Sequence, residues 1–207
     1  PYEIDGVVIN VNDNRLFEKL GFVGRAPRGA IAFKFPGIEA TTKINNIVVQ
    51  VGRTGKLTPV AILEPVRIGG TTISRATLHN ADEIKKLGVK IGDTVVVKRA
   101  GDVIPEVVRV ITSLRDGTEK KFKIPKVCPY CGSKVVKKEG EVDYYCPNPK
   151  CFAIRKRYLY HFVSKKAFDI EHLGPKIIDQ LIEEGLIETP ADIFKLKKGV
   201  WYRSFPI

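Results

Sequence analysis

Five short strands with one helix after the third, four cysteines in two close pairs, and two helical segments joined across a glycine turn together predict a multidomain α+β protein. At 207 residues, 43% hydrophobic and 28% charged, the chain has the size for more than one small core and the balance of a folded globular protein. No apolar run approaches the roughly 20 residues of a membrane span and no signal-peptide pattern opens the chain, so the expectation is a cytoplasmic protein with no membrane partner. The chain contains no methionine and begins Pro1-Tyr2-Glu3, which predicts that it was cut from something longer.

VVINV (Val7 to Val11) and AIAFKF (Ala30 to Phe35) are apolar runs of strand length and read as two strands of a buried sheet, separated by a helical NRLFEKLG that ends at Gly21. Side chains alternate along a strand, so Lys34 shares its face with Ala30 and Ala32 while Ile31, Phe33 and Phe35 take the other. A lysine flanked by alanines lies over a cavity or an incoming ligand, or else on the solvated face of an edge strand. By the same parity Asn10 looks toward the side of Lys34.

From Lys43 to Ile111 the texture is all-β. NIVVQV, LTPVAILEPV, TTISRATL, DTVVVKRAG and IPEVVRVI alternate with the turns GRTG (Gly52 to Gly55) and Gly69-Gly70. After the third strand, Asn80 can cap a helix, Glu83 stands at the capping-box position and Gly88 ends it. That layout is a five-stranded OB-fold barrel, a fold that commonly binds nucleic acid.

Lysine and arginine outnumber acids by 35 to 23, a net charge of +12 that draws the chain toward a polyanion. Residues 1–119 carry 17 basic against 13 acidic groups and residues 120–207 carry 18 against 10, so the excess is concentrated in the second half. On the barrel the candidate DNA contacts are Arg53, Thr54 and Lys56 at the first turn, Arg75 near the end of the third strand, and Lys98 and Arg99 before Gly101. Singly such charges are solvated surface; as a set they suit a surface that follows phosphates.

Beyond a basic linker at Lys120 to Lys126 stand Cys128, Cys131, Cys146 and Cys151, spaced C-x2-C-x14-C-x4-C and using all four cysteines of the chain. Two close pairs a hairpin apart suit one tetrahedral Zn2+ held by four thiolates, a structural site with no position open to substrate. The competing reading, two disulfides, is disfavoured in a reducing compartment. Tyr158, Leu159, Phe162 and Val163 then recur at helical spacing, and PKIIDQLIEEG (Pro175 to Gly185) forms a second helix after the turn DIEHLG. Helix, glycine turn, helix suggests a hairpin whose backbone amides face a DNA phosphate. His161 and His172 read as packing or surface residues.

Taken together, EIDGVVINV, LGFVGRAPRGAIAFKFP, VQVGRTGKLTPVA, SRATLHNADEI, GDTVVVKRAGDVIPEV, the CPYCG knuckle and FDIEHLG resemble the bacterial NAD+-dependent DNA ligase family, in order, up to about Leu196. The resemblance implies that residues 1–40 are the C-terminal part of an adenylation (nucleotidyltransferase) domain, 41–119 the OB-fold, 120–152 the four-cysteine zinc finger and 153–207 the start of a helix-hairpin-helix domain. It further implies an enzyme of DNA replication and repair that seals nicks in double-stranded DNA by adenylyl transfer, with NAD+ as adenylyl donor and Mg2+ as ion, monomeric and associated with the bacterial nucleoid.

In that family the lysine of the AFKFP block, here Lys34, lies beside the adenylate phosphate, and Asp5 matches an acidic residue of the same pocket. Two positions depart from the family pattern: Asn10 stands where DGVVIKV has lysine, and Gly29 where RAPRWAIA has tryptophan. The family's nucleophilic lysine sits in a K-x-D-G motif, a tetrapeptide that residues 1–207 do not contain, so this segment alone is expected to be inactive. The tail Gly199 to Ile207 does not resemble the family's continuation. The alternative reading is therefore a truncated or decayed paralogue acting only as a zinc-containing DNA-binding protein.

Overall fold

The computed structural model describes residues 4, 6–99, 105–138 and 140–196, which form two compact units. The first comprises residues 1–47, 61–78 and 87–122, the second 48–60, 79–86 and 123–207. Asp5 and the tail Gly199 to Ile207 lie outside the described residues.

The first unit opens with strand β1 (Gly6–Asn10) and helix α1 (Asn14–Leu20), then a small hairpin of β2 (Phe22–Val23) and β3 (Ala26–Pro27), and strand β4 (Ala30–Lys34). Helix α1 starts where the Asp13 carboxylate accepts from the Arg15 and Leu16 amides, at 2.8 and 3.1 Å, and stops at Gly21, whose φ of 68° ends the helix. Strands β1 and β4 pair antiparallel, with Gly6 opposite Lys34, Val8 opposite Ala32 and Asn10 opposite Ala30. Contrary to the buried sheet expected from their composition, these strands are exposed: Ile9 is 62% and Ile31 66% accessible. The ribbon has two strands only, and no layer of the described residues covers it. An apolar run of strand length indicates that a face suits burial, not what buries it.

Five longer strands follow: β5 (Ile38–Val51), β6 (Lys56–Ile68), β7 (Thr71–Thr77), β8 (Thr94–Arg99) and β9 (Glu106–Val110), with helix α2 (Ala81–Leu87) after the third of them. β5 pairs with both β6 and β8, β6 with β7, and β8 with β9; a parallel bridge between Thr77 and Glu106 joins β7 to β9 and closes the ring. This is the five-stranded OB-like barrel expected. Its interior is filled by alternating apolar side chains, among them Ile44, Leu63, Ile68, Ile73, Val95 and Val97. Helix α2 starts where Asn80 accepts from the Glu83 amide at 2.8 Å, and Gly88 at φ 62° follows it.

One polar residue is fully enclosed with this core. Asp93 accepts from the Lys90 amide at 2.7 Å and from Arg115 Nε and Nη2 at 2.7 and 2.8 Å, and Arg115 also donates to the Gly88 carbonyl. The bidentate pair ties the end of α2 and the start of β8 to the segment after β9.

In the second unit the tip of the β5–β6 hairpin meets the cysteine-bearing segment. Strands β10 (Val136–Lys137) and β11 (Tyr144–Tyr145) pair with each other, and β11 pairs with β6 through Tyr144 opposite Leu57 and Tyr145 opposite Lys56. Helices α3 (Phe152–Val163), α4 (Pro175–Glu183) and α5 (Pro190–Ile193) bury Leu159, Val163, Leu173, Ile178, Leu181, Ile187 and Ile193 against one another. Of the residues expected at the α3 seam, Tyr158 is half exposed, because it stands beside rather than on the stripe formed by Leu159 and Val163. No helix among the described residues is long and apolar enough to cross a membrane.

Candidate metal centre and nucleic-acid interface

The four cysteines converge. Cys128 and Cys131 flank a knuckle in which the Gly132 amide donates to the Cys128 carbonyl at 2.9 Å, and Gly132 takes a φ of 70° to turn the chain. Cys146 follows β11, and Cys151 caps the start of α3. All four are free thiols, with every Sγ within 4.8 Å of the others, Cys128 to Cys151 at 3.9 Å and Cys131 to Cys146 at 3.5 Å. Four sulfurs on a tetrahedral zinc at the usual Zn–S length stand about 3.8 Å apart, so the donor set fits that ion with little adjustment.

Electrostatics separates the four. The Ser133 hydroxyl, followed by its backbone amide, lowers the Cys131 thiol to about 6, whereas burial pushes Cys146 up to about 12 and raises Cys151. Cys131 is the least buried of the four. It is therefore the thiol most easily ionised before a metal arrives.

The apolar shell of this centre is shared with the barrel hairpin. Val51 and Leu57 are buried in one cluster with Cys128, Cys146, Cys151 and Ala153. The Cys146 amide donates to the Gly55 carbonyl at 2.9 Å, and Lys56 Nζ meets Asp143 Oδ2 at 2.6 Å. Gly55 is a required glycine, since its φ is 83° and a Cβ there would stand 2.5 Å from the Cys146 carbonyl oxygen.

The expected DNA contacts divide accordingly. Arg53 and Thr54 lie exposed at the tip of the turn, and both line a cleft of about 350 Å³ with Lys138, Tyr145 and Asn148. Lys56 is the first residue of β6, and its ammonium pairs with Asp143. Arg75, Lys98 and Arg99 belong to the other unit and are strand residues rather than turn residues. Lys98 and Arg99 end β8 opposite Glu39 and Ile38 of β5, half buried, with the Lys98 stem packed over Gly37.

In the helical segment, residues 164–174 connect α3 to α4 with Asp169 and His172 at positive φ, 49° and 62°. His161 is half buried and His172 exposed. At the start of α4 the Ile177 and Ile178 amides are both turned onto the Gly174 carbonyl, and Pro175 has no amide hydrogen.

In the β1–β4 ribbon Lys34 is exposed at the end of β4. Gly6, Val8, Asn10, Ala30 and Ala32 share its face, as strand parity required. A side chain at Gly6 would stand 2.5 Å from the Phe33 carbonyl oxygen, so the strand opposite Lys34 presents bare backbone. Asn10 sits four residues along the register from Lys34, about 13 Å at strand rise. Gly29 is buried because the Phe17 ring of α1 lies on it, 2.5 Å from where a Cβ would be.

Sequence reasoning missed Asp143, Phe17 and the Asp93–Arg115 pair. Asp143 carried one faint signal, an acid directly before the aromatic pair Tyr144-Tyr145 in a basic module.

Three family models match the chain in order: the NAD-dependent DNA ligase adenylation domain over residues 1–38, the NAD-dependent DNA ligase OB-fold domain over 41–119, and the NAD-dependent DNA ligase C4 zinc finger domain over 127–153. Among curated proteins, a DNA ligase of Thermomicrobium roseum is 55% identical over 94% of this chain and 28% of its own length, and a DNA ligase of Halothermothrix orenii is 55% identical over 96% and 30%. A DNA ligase of Syntrophus aciditrophicus is 56% identical over 95% of the chain and 29% of its own length. The chain thus spans about three tenths of the length of the curated relatives it matches. With three successive domain matches, and four clustered thiols where the zinc-finger match falls, the chain belongs to the NAD-dependent DNA ligase family.

Proposed function

We propose that the chain is the DNA-engaging section, with the end of the nucleotide pocket, of a cytoplasmic, nucleoid-associated and monomeric ligase that seals nicks in duplex DNA. Its modules are the end of an adenylation domain to residue 40, the barrel over 41–119, the zinc finger over 120–152 and the start of a helix-hairpin-helix domain from 153. NAD+ supplies the adenylyl group of that reaction and Mg2+ the mobile counter-charge. Asp5 and Lys34 serve the nucleotide pocket, Asn10 borders it, and Arg53, Thr54, Arg75, Lys98 and Arg99 follow DNA phosphates. Cys128, Cys131, Cys146 and Cys151 hold a structural zinc.

The observation that carries this reading is the placement of Lys34. A cation at the end of a paired strand, with only small or short neighbours on its face, has its backbone held in register while leaving room above it for a ligand. Fixed positive charge beside phosphoryl oxygens lowers a transfer barrier at little reorganisation cost. The 13 Å between Asn10 and Lys34 can be bridged when a phosphate lies between the two side chains, so a lysine at position 10 would converge on the same group.

The test is a complete enzyme made by joining the missing N-terminal part of a relative to this chain. Lys34→Ala is expected to lower nick joining by 100-fold or more, the scale of losing one preorganised charge donor, and Asn10→Lys to raise it. Joining that is indifferent to Lys34→Ala, in a variant that melts normally, would reject the assignment. The reading as a zinc-containing DNA binder alone is favoured by one observation, Asn10 on the face of Lys34 where the family pattern has a second lysine. It predicts that the chimera binds nicked DNA yet joins none.

A further inference from the structure

We propose that Asp143 is a positioning residue: through Lys56 it holds the barrel turn Gly52 to Gly55 in the geometry that presents Arg53 to DNA. The role makes the zinc module, rather than the barrel alone, the support of that contact. The inference rests on the DNA-binding reading for its functional consequence but not for its structural content.

Four observations converge on the turn. Its inner hydrogen bonds are few: Gly52 donates to the Lys56 carbonyl at 2.9 Å and Gly55 to the Gly52 carbonyl at 3.0 Å. Its outer support comes from the cysteine-bearing segment, by the Cys146 amide on the Gly55 carbonyl and by β11 pairing with β6 at Leu57 and Lys56. Val51 and Leu57, which flank the turn, are buried among the zinc-binding cysteines. Asp143 completes the set, with its side chain 16% accessible and Oδ2 at 2.6 Å from Lys56 Nζ.

The energetic argument is that this carboxylate is expensive where it stands. Asp143 Oδ1 is enclosed with no hydrogen-bond partner among the described residues. A surface ion pair is worth little, but a carboxylate with one oxygen desolvated depends on its single cation and fixes that cation in return. Lys56 is the residue whose carbonyl closes the turn. Anchoring its side chain therefore anchors the loop that bears Arg53 and Thr54, at the mouth of the cleft they share with Lys138 and Asn148.

The role predicts an effect opposite in sign to plain electrostatics. Deleting a carboxylate beside a phosphate-facing turn, and freeing Lys56, should tighten DNA binding if charge were all that mattered. If Asp143 positions Arg53, binding weakens instead.

The experiment uses the zinc-loaded 207-residue chain, Asp143→Asn, and Lys56→Gln, which breaks the same pair without touching the metal-binding segment. Zinc content is checked by elemental analysis, amide exchange is followed at Thr54, Gly55 and Lys56, and affinity is measured on nicked duplex. With one zinc retained, exchange at the turn should rise about tenfold while β8 is unchanged, and DNA affinity should fall several-fold. In an Arg53→Ala background Asp143→Asn should weaken binding no further. Unchanged exchange in either variant, tighter DNA binding, or full additivity with Arg53→Ala overturns the proposal. Should the parent chain bind no DNA, the DNA reading fails by itself, and turn exchange still decides whether Asp143 positions the loop.

Discussion

Replacing Arg115 by methionine is expected to be among the most damaging single changes in the barrel. Asp93 is fully enclosed, and its two oxygens are satisfied by Arg115 Nε, Arg115 Nη2 and the Lys90 amide. Methionine keeps most of the stem volume and removes both side-chain donors, which leaves the Asp93 carboxylate in the interior with one backbone amide. Orphaning one member of a buried pair costs about 3–5 kcal/mol, and for a domain of this size each kcal/mol lowers Tm by about 4–8 °C, so the barrel transition should fall by on the order of 20 °C. Calorimetry reads the shift, and amide exchange at Val95, Val96 and Val97 assigns it to the barrel. The double variant Asp93→Leu with Arg115→Met removes both charges and should recover most of the loss. A single variant that melts within 3 °C of the parent, or a double variant as weak as the single, would refute the reasoning.

Elemental analysis of the purified chain should give one zinc per molecule. Chelation at pH 7 should unfold the cysteine segment and speed exchange at Gly55 and Lys56, with metal retention falling as pH drops because protons compete for the thiolates. His172→Gly should raise stability by about 0.5–1 kcal/mol, since an exposed histidine at φ 62° gives up left-handed strain that outweighs the added freedom of the unfolded chain; a lower Tm would show that the imidazole makes a needed contact. Hydrogen bonds from the Thr189 hydroxyl, the Lys195 ammonium and two backbone amides hold the Asp192 carboxyl below the usual range. Its contribution to stability is therefore complete above the unfolded value near 4 and lost as pH falls through the lower folded one. Asp192→Asn should remove that acid dependence from α5, and amide exchange at Ile193 across pH 2–6 checks it.

How much was legible in the sequence follows from how local each cause is. Asp13, Asn80, Gly21 and Gly88 bound their helices through hydrogen bonds or dihedral angles a few residues away, and the sequence displays such causes directly. The cysteine site was legible for a different reason: four ligands of one chemical type, each pair fixed by a short turn, constrain the answer even when the pairs are far apart. Burial of the β1–β4 ribbon is a different case: its apolar faces are exposed among the described residues, and the apolar pattern itself does not say which layer would cover them.

Lys56 and Gly29 mark the boundary between those cases. From sequence, Lys56 is a basic residue beside a turn and Gly29 is a missing tryptophan; both readings treat a residue as if its surroundings were set by its neighbours in the chain. In the fold Lys56 is claimed by an acid 87 positions away and Gly29 by the ring of Phe17, contacts that only strand pairing and packing create. The second case changes the meaning of a departure from the family pattern. With Phe17 seated on Gly29, a tryptophan restored at position 29 has no place unless the α1 ring moves, so the glycine belongs to a local packing solution and not to a vacant site. Asn10 has no such substitute among the residues that share its face, which leaves it as the departure with a direct bearing on charge beside Lys34.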